Sequence, residues 1–398
     1  WGIYLPALFD SKFTLENSPL KRILVTGGAG FIGSHTADIL LQCGYEVRIF
    51  DSLQERVHPH GWPVYLPGDM EKIVGDVRDA DAMGRALDGV DGVIHLAAYQ
   101  DYMPDFSTFY SVNTVSTALL FELIVARALP VQKIVSASSQ SVYGEGRYEC
   151  AACGQIHPPA RPEEQLARGD WEVRCPSCGA VATPLPLVES APVQPHTAYG
   201  ISKYALEMTT LNLGRKYGIP VTNLRYSIVQ GTRNSFFNAY SGVARIFVLR
   251  LLHDQPPVIY EDGLQQRDYV SVHDVARANV MALEDERADF RNFNAAGQKM
   301  TTVLEVARLL SSLCGREGIE PQVSGEYRFG DTRHTVSSWE AIGALGWRPE
   351  RAMENFLAEY VEWVRQQPNL DDFYARSQQA MRSAGVIRSV GVADPKAT

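Results

Sequence analysis

Residues 21–49 read KRILVTGGAGFIGSHTADILLQCGYEVRI, and this stretch decides the fold. Ile23 to Thr26 are a short, apolar, β-branched run, as expected of a strand buried on both faces in a parallel sheet. Gly27, Gly30 and Gly33 follow at intervals of three, and an apolar-periodic helix starts at Phe31. Strand, glycine turn and helix together supply what a pyrophosphate group requires. They give a tight turn, a backbone that the phosphates can approach, close helix–strand packing and free N–H groups at a helix N-terminus.

A second strand, Glu46 to Phe50, ends at Asp51. A carboxylate roughly 20 residues past such glycines is placed to bind an adenosine ribose diol, and it repels a 2′-phosphate. The pattern therefore selects NAD over NADP. A glycine turn without a ligand is the competing reading, and the second strand with its terminal acid argues against it.

Beyond Asp51 lies a loop rich in Pro and His, SLQERVHPHGWPVYLPGD, without periodicity. MEKIVGDVRD reads as a third strand with Asp76 at its end, DADAMGRALDGV as a short helix and DGVIHLAA as a fourth strand. Residues 106–129 are a long helical pattern closed by Pro130, and VQKIVSASS is a fifth strand with a polar end, Ser136 to Ser141. Such alternation predicts an α/β fold with a doubly wound parallel Rossmann sheet, its ligands in the crevice beyond the strands' carboxyl ends. The alternation breaks at Glu145 and resumes after Ser190 with AYGISKYALEMTTLNLGRKYG and IPVTNLRYS.

The expected organisation is an N-terminal extension over 1–20 and an NAD-binding domain over 21–226, carrying an insertion at 145–190. Residues 268–295 return to that domain. A smaller α/β substrate-binding domain takes 227–267 and 296–368, with helices near 239–253, 301–313, 337–345 and 353–365. The last 30 residues, 369–398, show no strong pattern and read as a tail.

The net charge of −9 argues against nonspecific attraction to nucleic acid or an anionic membrane. By eye, no run approaches the roughly 18 apolar residues of a membrane span. The start, WGIYLPALFDSKF, does not read as a signal peptide, and a cytoplasmic location is expected. Any phosphate-bearing substrate must then be held by local arginines, helix ends and backbone amides.

Tyr199 and Lys203 stand four apart at the start of a helix and share a face. A phenol of unperturbed pKa about 10 is a poor base at neutral pH. A neighbouring ammonium, and the positive ring of an oxidised nicotinamide, would favour phenolate. Tyr199 is thus a candidate general base for a sugar hydroxyl, with Ser139 able to hydrogen-bond the same oxygen. An exposed Tyr–Lys pair without chemistry is the alternative.

TGGAGFIGSH, Asp51, GDVRD, HLAA, SASSQSVYG and YGISK together resemble the extended short-chain dehydrogenase/reductase family, and within it the nucleotide-sugar epimerases and dehydratases. The resemblance covers roughly residues 20 to 368, apart from the insertion. It implies tightly held NAD, with Gly27, Gly30, Phe31, Ile32 and Gly33 at the pyrophosphate and Asp51 on the ribose. Asp76 and Val77 would lie near the adenine, and Leu96, Ala97, Ala98 and Tyr226 along the cofactor. Tyr199 and Lys203 would meet the nicotinamide end. It also implies a homodimer through a four-helix bundle built from residues 106–129 and 197–217.

Dehydratases of this family carry an Asp–Glu pair immediately after the residue that corresponds to Ser139. Here Gln140 and Ser141 stand there, so the expected reaction is 4-epimerisation. A sugar would be oxidised at carbon 4, the flat 4-keto sugar would turn over, and hydride would return to its other face. A 4,6-dehydratase or decarboxylase of the same family is the alternative. So is a non-catalytic NAD sensor or scaffold, although that would have little need of Tyr199 and Lys203.

By the same resemblance, Ser139 and Gln140 would meet the sugar, while Arg267 in QRDYVSVHD and Arg333 in GDTRH would clamp the diphosphate, a task that suits a guanidinium fork. Surface salt bridges are the plain alternative for both arginines. The substrate would be a dTDP- or UDP-linked sugar. GVARIFVLRLL, PPVIYEDG and GDTRH are most similar to rhamnose 4-epimerases acting on a thymidine-diphosphate sugar. After LRY the family commonly has Phe–Asn, whereas this chain has Ser227 and Ile228, and YQDYMPDFSTF also departs from the usual form.

Six cysteines occur. Cys150 and Cys153, then 21 residues, then Cys175 and Cys178 form two C-x2-C knuckles. Four thiolates at this spacing predict a tetrahedral structural Zn2+ in a ribbon-like module, with free thiols or disulfides as alternatives. Between Glu145 and Ser190 there are four arginines, no lysine and seven acids, which argues against a nucleic-acid surface. The insertion leaves just after Ser139 and returns just before Tyr199, so it is expected to act as a lid or brace at the substrate mouth. His58, His60, His157 and His196 are expected in loops or on the surface, and Cys43 and Cys314 as buried or half-buried thiols.

Overall fold

The computed structural model describes residues 20–235, 242–368, 370 and 374–391. The N-terminal extension over 1–19 and the start of the helix expected near 239 lie outside them.

The glycine motif sits at the centre of a seven-stranded sheet. Strands β1 (Arg22–Thr26), β2 (Glu46–Asp51), β3 (Glu71–Val74), β4 (Gly92–His95) and β5 (Lys133–Ser139) are joined by two later strands, Val221–Tyr226 and Arg291–Ala295. The spatial order is Arg291–Ala295, Val221–Tyr226, β5, β4, β1, β2, β3, and every pairing is parallel. The order reverses beside β1, so the carboxyl ends of β1, β2 and β4 open onto one crevice, the usual place for a ligand in such a sheet.

One face of the sheet is covered by helix α1 (Phe31–Gln42) and the helix Val272–Glu284, whose Val275, Ala276 and Val280 join Ile23, Val25 and Ile49 in one core. The other face is covered by Ala80–Ala86, by the long helix Phe106–Ala126 and by Ala198–Tyr217. Phe106–Ala126 is long and apolar enough to cross a membrane by length and composition, contrary to the expectation that no run approaches a membrane span. In the fold its Phe109, Leu120, Phe121 and Ile124 are buried against Leu24, Val93 and Ile134. A π-helical turn at Ser111–Val115 places the buried Asn113 amide between the backbone of Tyr99 and the Ser202 hydroxyl, anchoring the segment after β4.

A second core is built by Val243–Leu252, Val303–Leu313 and Met353–Arg365. Thr302 and Glu305 form a capping box that fixes the start of the second of these helices. Residues 374–391, expected as an unpatterned tail, instead form a helix, Tyr374–Ser383, and a strand, Ile387–Ser389, antiparallel to Glu326–Arg328. This stretch also meets the insertion, through an Arg388–Glu163 ion pair and a hydrogen bond from Gly391 N to Ala167 O. A polar ten-residue helix with few apolar positions carries little periodic signal, which is why the sequence pattern did not show it.

The insertion forms a small antiparallel sheet in which Arg147–Cys150 pairs with Gly154–Ile156 and with Thr183–Leu185. It lies against the segment 336–338, where Leu187 exchanges backbone hydrogen bonds with Val336 and Ser338.

Candidate active site

Gly27 has φ of +66°, and a Cβ there would lie 2.8 Å from Ala97 N, so both the turn and the approach to β4 require glycine. A Cβ on Gly33 would lie 2.2 Å from Gly27 O, so helix and turn pack at a distance no side chain permits. Around Gly30 the nearest atom to such a Cβ is Gly27 O at 3.2 Å, which leaves that side of the turn open. No side chain caps the N-terminus of α1. The Asp51 carboxylate accepts from Ala29 N at 3.0 Å and Leu53 N at 2.9 Å, which fixes it at the rim.

These groups line a single cavity of about 620 Å³. Gly27, Gly30, Phe31, Ile32, Gly33, Asp51, Asp76, Val77, Leu96, Ala97, Ala98, Tyr199, Lys203 and Tyr226 all border it. An open glycine cradle, an uncapped helix end and an oriented carboxylate in one cavity suit a dinucleotide, so the residues present fit NAD. The Asp76 carboxyl is held below the usual range, chiefly by hydrogen bonds from Arg78.

At one end of the cavity, Lys203 is fully buried and donates to Ala137 O at 2.8 Å, with its Nζ 6.0 Å from the centre of the Tyr199 ring. Burial lowers the ammonium to about 7. It raises the Tyr199 phenol to about 12, against the opposing effect of a hydrogen bond with Ser139. Both shifts oppose what a working base needs, because desolvation penalises phenolate and ammonium alike. A positive ring bound beside Tyr199 would offset the shift of the phenol.

The remaining expected residues lie off the cavity wall. Gln140 is buried and its Oε1 accepts from Ser337 Oγ at 3.2 Å, so it bridges to the segment that follows Arg333. Arg267 donates to the carbonyls of Gln266, Thr332 and Arg333, each at 2.8 Å. Its guanidinium is thus engaged with the backbone of the Thr332–Arg333 segment and does not line the cavity. Arg333, expected at a diphosphate, has no exposed surface. Its guanidinium meets Glu261 at 3.0 Å, Asp262 at 2.7 and 2.8 Å and Glu172 at 2.6 Å. Glu172 comes from the insertion, which the resemblance does not cover, and a cage of acids leaves this arginine turned away from the cavity.

The insertion brings the four cysteines together. Their sulfur atoms all lie within 4.8 Å of one another, with Cys150 and Cys175 buried and Cys153 and Cys178 exposed. Backbone N–H groups of Cys178 and Ser177 lower the Cys175 thiol to about 6, as a turn of amides toward sulfur should. Four convergent sulfurs are a donor set suited to Zn2+. Cys43 and Cys314 are buried thiols, both raised to about 11 by desolvation.

Several wall residues escaped sequence reading. His58 and His60, expected as loop or surface residues, line the cavity with Arg56 and Trp62, all from the loop after β2. That loop has no periodicity, so only its position after a carboxylate-ended strand could have pointed to it. Arg245 also lines the cavity and donates to Ser235 O at 2.7 Å. Burial lowers its guanidinium to about 10. Its signal was present, since a charge interrupts the apolar run VARIFVL.

The fold and this site define a class. A model of the NAD dependent epimerase/dehydratase family matches residues 23–163 and 175–296, and the chain belongs to that family. The two matched segments are separated by part of the insertion. Among its relatives, dTDP-L-rhamnose 4-epimerase of Burkholderia thailandensis is 33% identical over 87% of this chain and 96% of its own length. A putative UDP-glucose 4-epimerase of Methanocaldococcus jannaschii is 31% identical over 86% of this chain and 98% of its own. In structure, the UDP-glucose 4-epimerase of Thermotoga maritima with UDP-glucose aligns with a TM-score of 0.69 at 30% identity, covering 87% of this chain and 99% of that one. The Thermus thermophilus UDP-glucose 4-epimerase in complex with NAD gives the same TM-score at 28% identity and the same coverage.

Proposed function

We propose that this protein is an NAD-dependent nucleotide-sugar 4-epimerase. The observation that carries the reading is Tyr199 and Lys203 together on the wall of the cavity lined by the glycine turn, with Ser139 hydrogen-bonded to Tyr199 from just behind that wall and Gln140 where a dehydratase would carry an acid. NAD, when bound, supplies a two-electron acceptor that takes hydride from carbon 4 and gives it back. Tyr199 takes the proton of the 4-hydroxyl and later returns it, while Ser139 holds the same oxygen. Lys203, set between Tyr199 and the backbone of Ala137, orients the nicotinamide end of the cofactor. The relatives' names support a dTDP- or UDP-linked sugar as substrate.

The cysteine module is read as a zinc ribbon. A closed set of four thiolates leaves no open position on the metal, so its part is structural. The helices Phe106–Ala126 and Ala198–Tyr217 expose Phe106, Val115, Ile201 and Met208, apolar side chains suited to a homodimer through four helices.

The test is incubation of the NAD-bound protein with dTDP- and UDP-linked sugars, following products by NMR and reduced cofactor by absorbance. Interconversion of 4-epimers without net NADH is expected. A stable 4-keto-6-deoxy product would assign the alternative dehydratase. Inactivity on every sugar with NAD retained would assign a sensor.

A further inference from the structure

Two stretches without a family motif meet at the cavity. One is the loop after β2, residues 52–70, which contains neither helix nor strand. Every residue from Arg56 to Tyr65 borders the cavity, so this loop is one of its walls. The other is the segment after β4, where Leu96, Ala97, Ala98 and Gln100 border the cavity and lead into Asp101. A wall with no backbone ladder of its own depends on its ties to other elements, and such a segment opens where those ties break.

The tie across the cavity is Arg56. Its Nη1 donates to Asp101 Oδ2 at 2.6 Å, and its guanidinium carbon lies 4.7 Å from the centre of the Tyr99 ring. The two ends of this pair differ. The Asp101 side chain is 1% exposed, and its Oδ1 accepts from Tyr102 N at 2.6 Å and Met103 N at 3.2 Å. Just before it, Tyr99 N and O are both held by the buried Asn113 amide, at 2.8 and 3.0 Å. Asp101 is therefore built into the fold. Arg56 is 35% exposed and sits on the irregular loop. The loop can swing out only if Asp101 gives up its cation, and a buried carboxylate left alone is costly.

We propose that Arg56 and Asp101 are positioning residues, a latch that holds the loop after β2 over bound NAD and sets how fast the cofactor exchanges. This rests on the reading of the cavity as an NAD site. It deepens the proposed function, because a cofactor reduced and reoxidised within one turnover has no need to leave. Neither residue belongs to the glycine turn, and Asp101 lies in YQDYMPDFSTF, where the chain departs from the usual form of the family.

The test uses the full-length protein loaded with NAD and follows exchange with isotopically labelled NAD by mass spectrometry, in the absence of any sugar. Arg56→Met is expected to speed release by roughly tenfold or more. It should also speed loading of the NAD-free protein, so that the dissociation constant changes less than the release rate. That split marks a latch, because loss of a direct contact acts mostly on release. Asp101→Asn keeps an oxygen for the N–H groups of Tyr102 and Met103 but not the charge, and should open the latch from its anchored end. Arg56→Lys keeps the charge on a different geometry and should recover part of the slow exchange. Since either change alone frees the loop, the double variant should release NAD no faster than the faster single variant.

Release within about twofold of wild type in both Arg56→Met and Asp101→Asn would overturn the proposal. Faster release with unchanged loading would overturn it too, by making Arg56 a direct contact of the cofactor. So would additive effects in the double variant. A wild-type protein that binds no NAD overturns the latch together with the assignment of the cavity. One that holds NAD, exchanges and loads it faster in both variants and turns over no sugar sinks the epimerase reading and leaves the latch supported.

Discussion

The glycine turn and the cysteine module are both built around small, chemically marked residues, yet they are assembled by opposite means. The turn is local. Gly27 to Asp51 is 25 consecutive residues, and the constraints on its glycines and on Asp51 are met mostly within that span, with Leu53 N and the backbone of Leu96 and Ala97 just after β4 as the outside contacts. The module is local only in its sulfurs. Besides backbone hydrogen bonds at Leu187 and Ala167, what joins it to the rest is a set of long-range charge pairs, Arg161 to Glu261 across 100 positions and Arg333 to Glu172 across 161. A local device can be altered without warning the rest of the molecule, whereas a module held by shared carboxylates transmits its state to whatever those carboxylates also hold.

The sharpest way to break this contrast is at the reactive group, which belongs to the turn's side of the molecule. Tyr199→Phe removes the proton acceptor and leaves the glycine cradle intact. Epimerisation should fall roughly 10²–10⁴-fold, the usual value of a positioned acid–base group. Cofactor absorbance of the purified protein should not change. Gly33→Ala is the reverse experiment. Its Cβ would meet Gly27 O at 2.2 Å, so turn and helix must separate. A loss of roughly 1–3 kcal/mol in stability is expected from such overpacking, with NAD lost on gel filtration. Retention of NAD by Gly33→Ala at wild-type stability would show that the cradle is not the tight device described.

Those two predictions depend on features the sequence displayed openly. β1, Gly27, Gly33 and Asp51 act through backbone geometry over a short span, and the Tyr199–Lys203 spacing acts through one helical turn, so both were legible. Arg333 was not. Its motif, GDTRH, is the same whether the guanidinium faces an anion or a cage of acids, and the acids lie far away in sequence. Arg161 had no motif at all. Gln140 was legible as a missing acid but not as a bridge to Ser337, because that contact spans 197 positions of sequence. Residues 374–391 were illegible for a different reason, since their helix is polar and is stabilised by docking rather than by pattern.

A milder perturbation sharpens the other side of the comparison. Cys175→Ser removes one thiolate of the convergent set. Bound zinc, measured by atomic absorption, should fall from one per chain to near zero, since structural affinity depends on the complete ligand set. NAD content should stay at the wild-type level, while the Michaelis constant for a nucleotide sugar rises severalfold and kcat changes less. Zinc loss with that constant unchanged would separate the module from the sugar site and return it to the role of a surface ornament.

An effect read only through its pH dependence lies at Lys203, where the cavity, β5 and the Tyr199 helix meet. Burial lowers its folded-state pKa to about 7 from an unfolded value near 10.5. Below pH 7 both states carry the proton, and the folded protein bears the full cost of a buried ammonium. Between about 7 and 10.5 the unfolded chain binds more protons than the folded one, so stability rises with pH over that window, and above it the cost is gone. In the NAD-free protein, chemical unfolding between pH 7 and 10 should therefore show wild type gaining on Lys203→Met as pH increases. The difference between the two proteins isolates this one residue from the other groups that titrate there. A gap that does not change with pH would mean that Lys203 keeps its charge throughout, with the Ala137 carbonyl and its surroundings compensating for burial, and that an ammonium stands ready beside Tyr199 before any cofactor arrives.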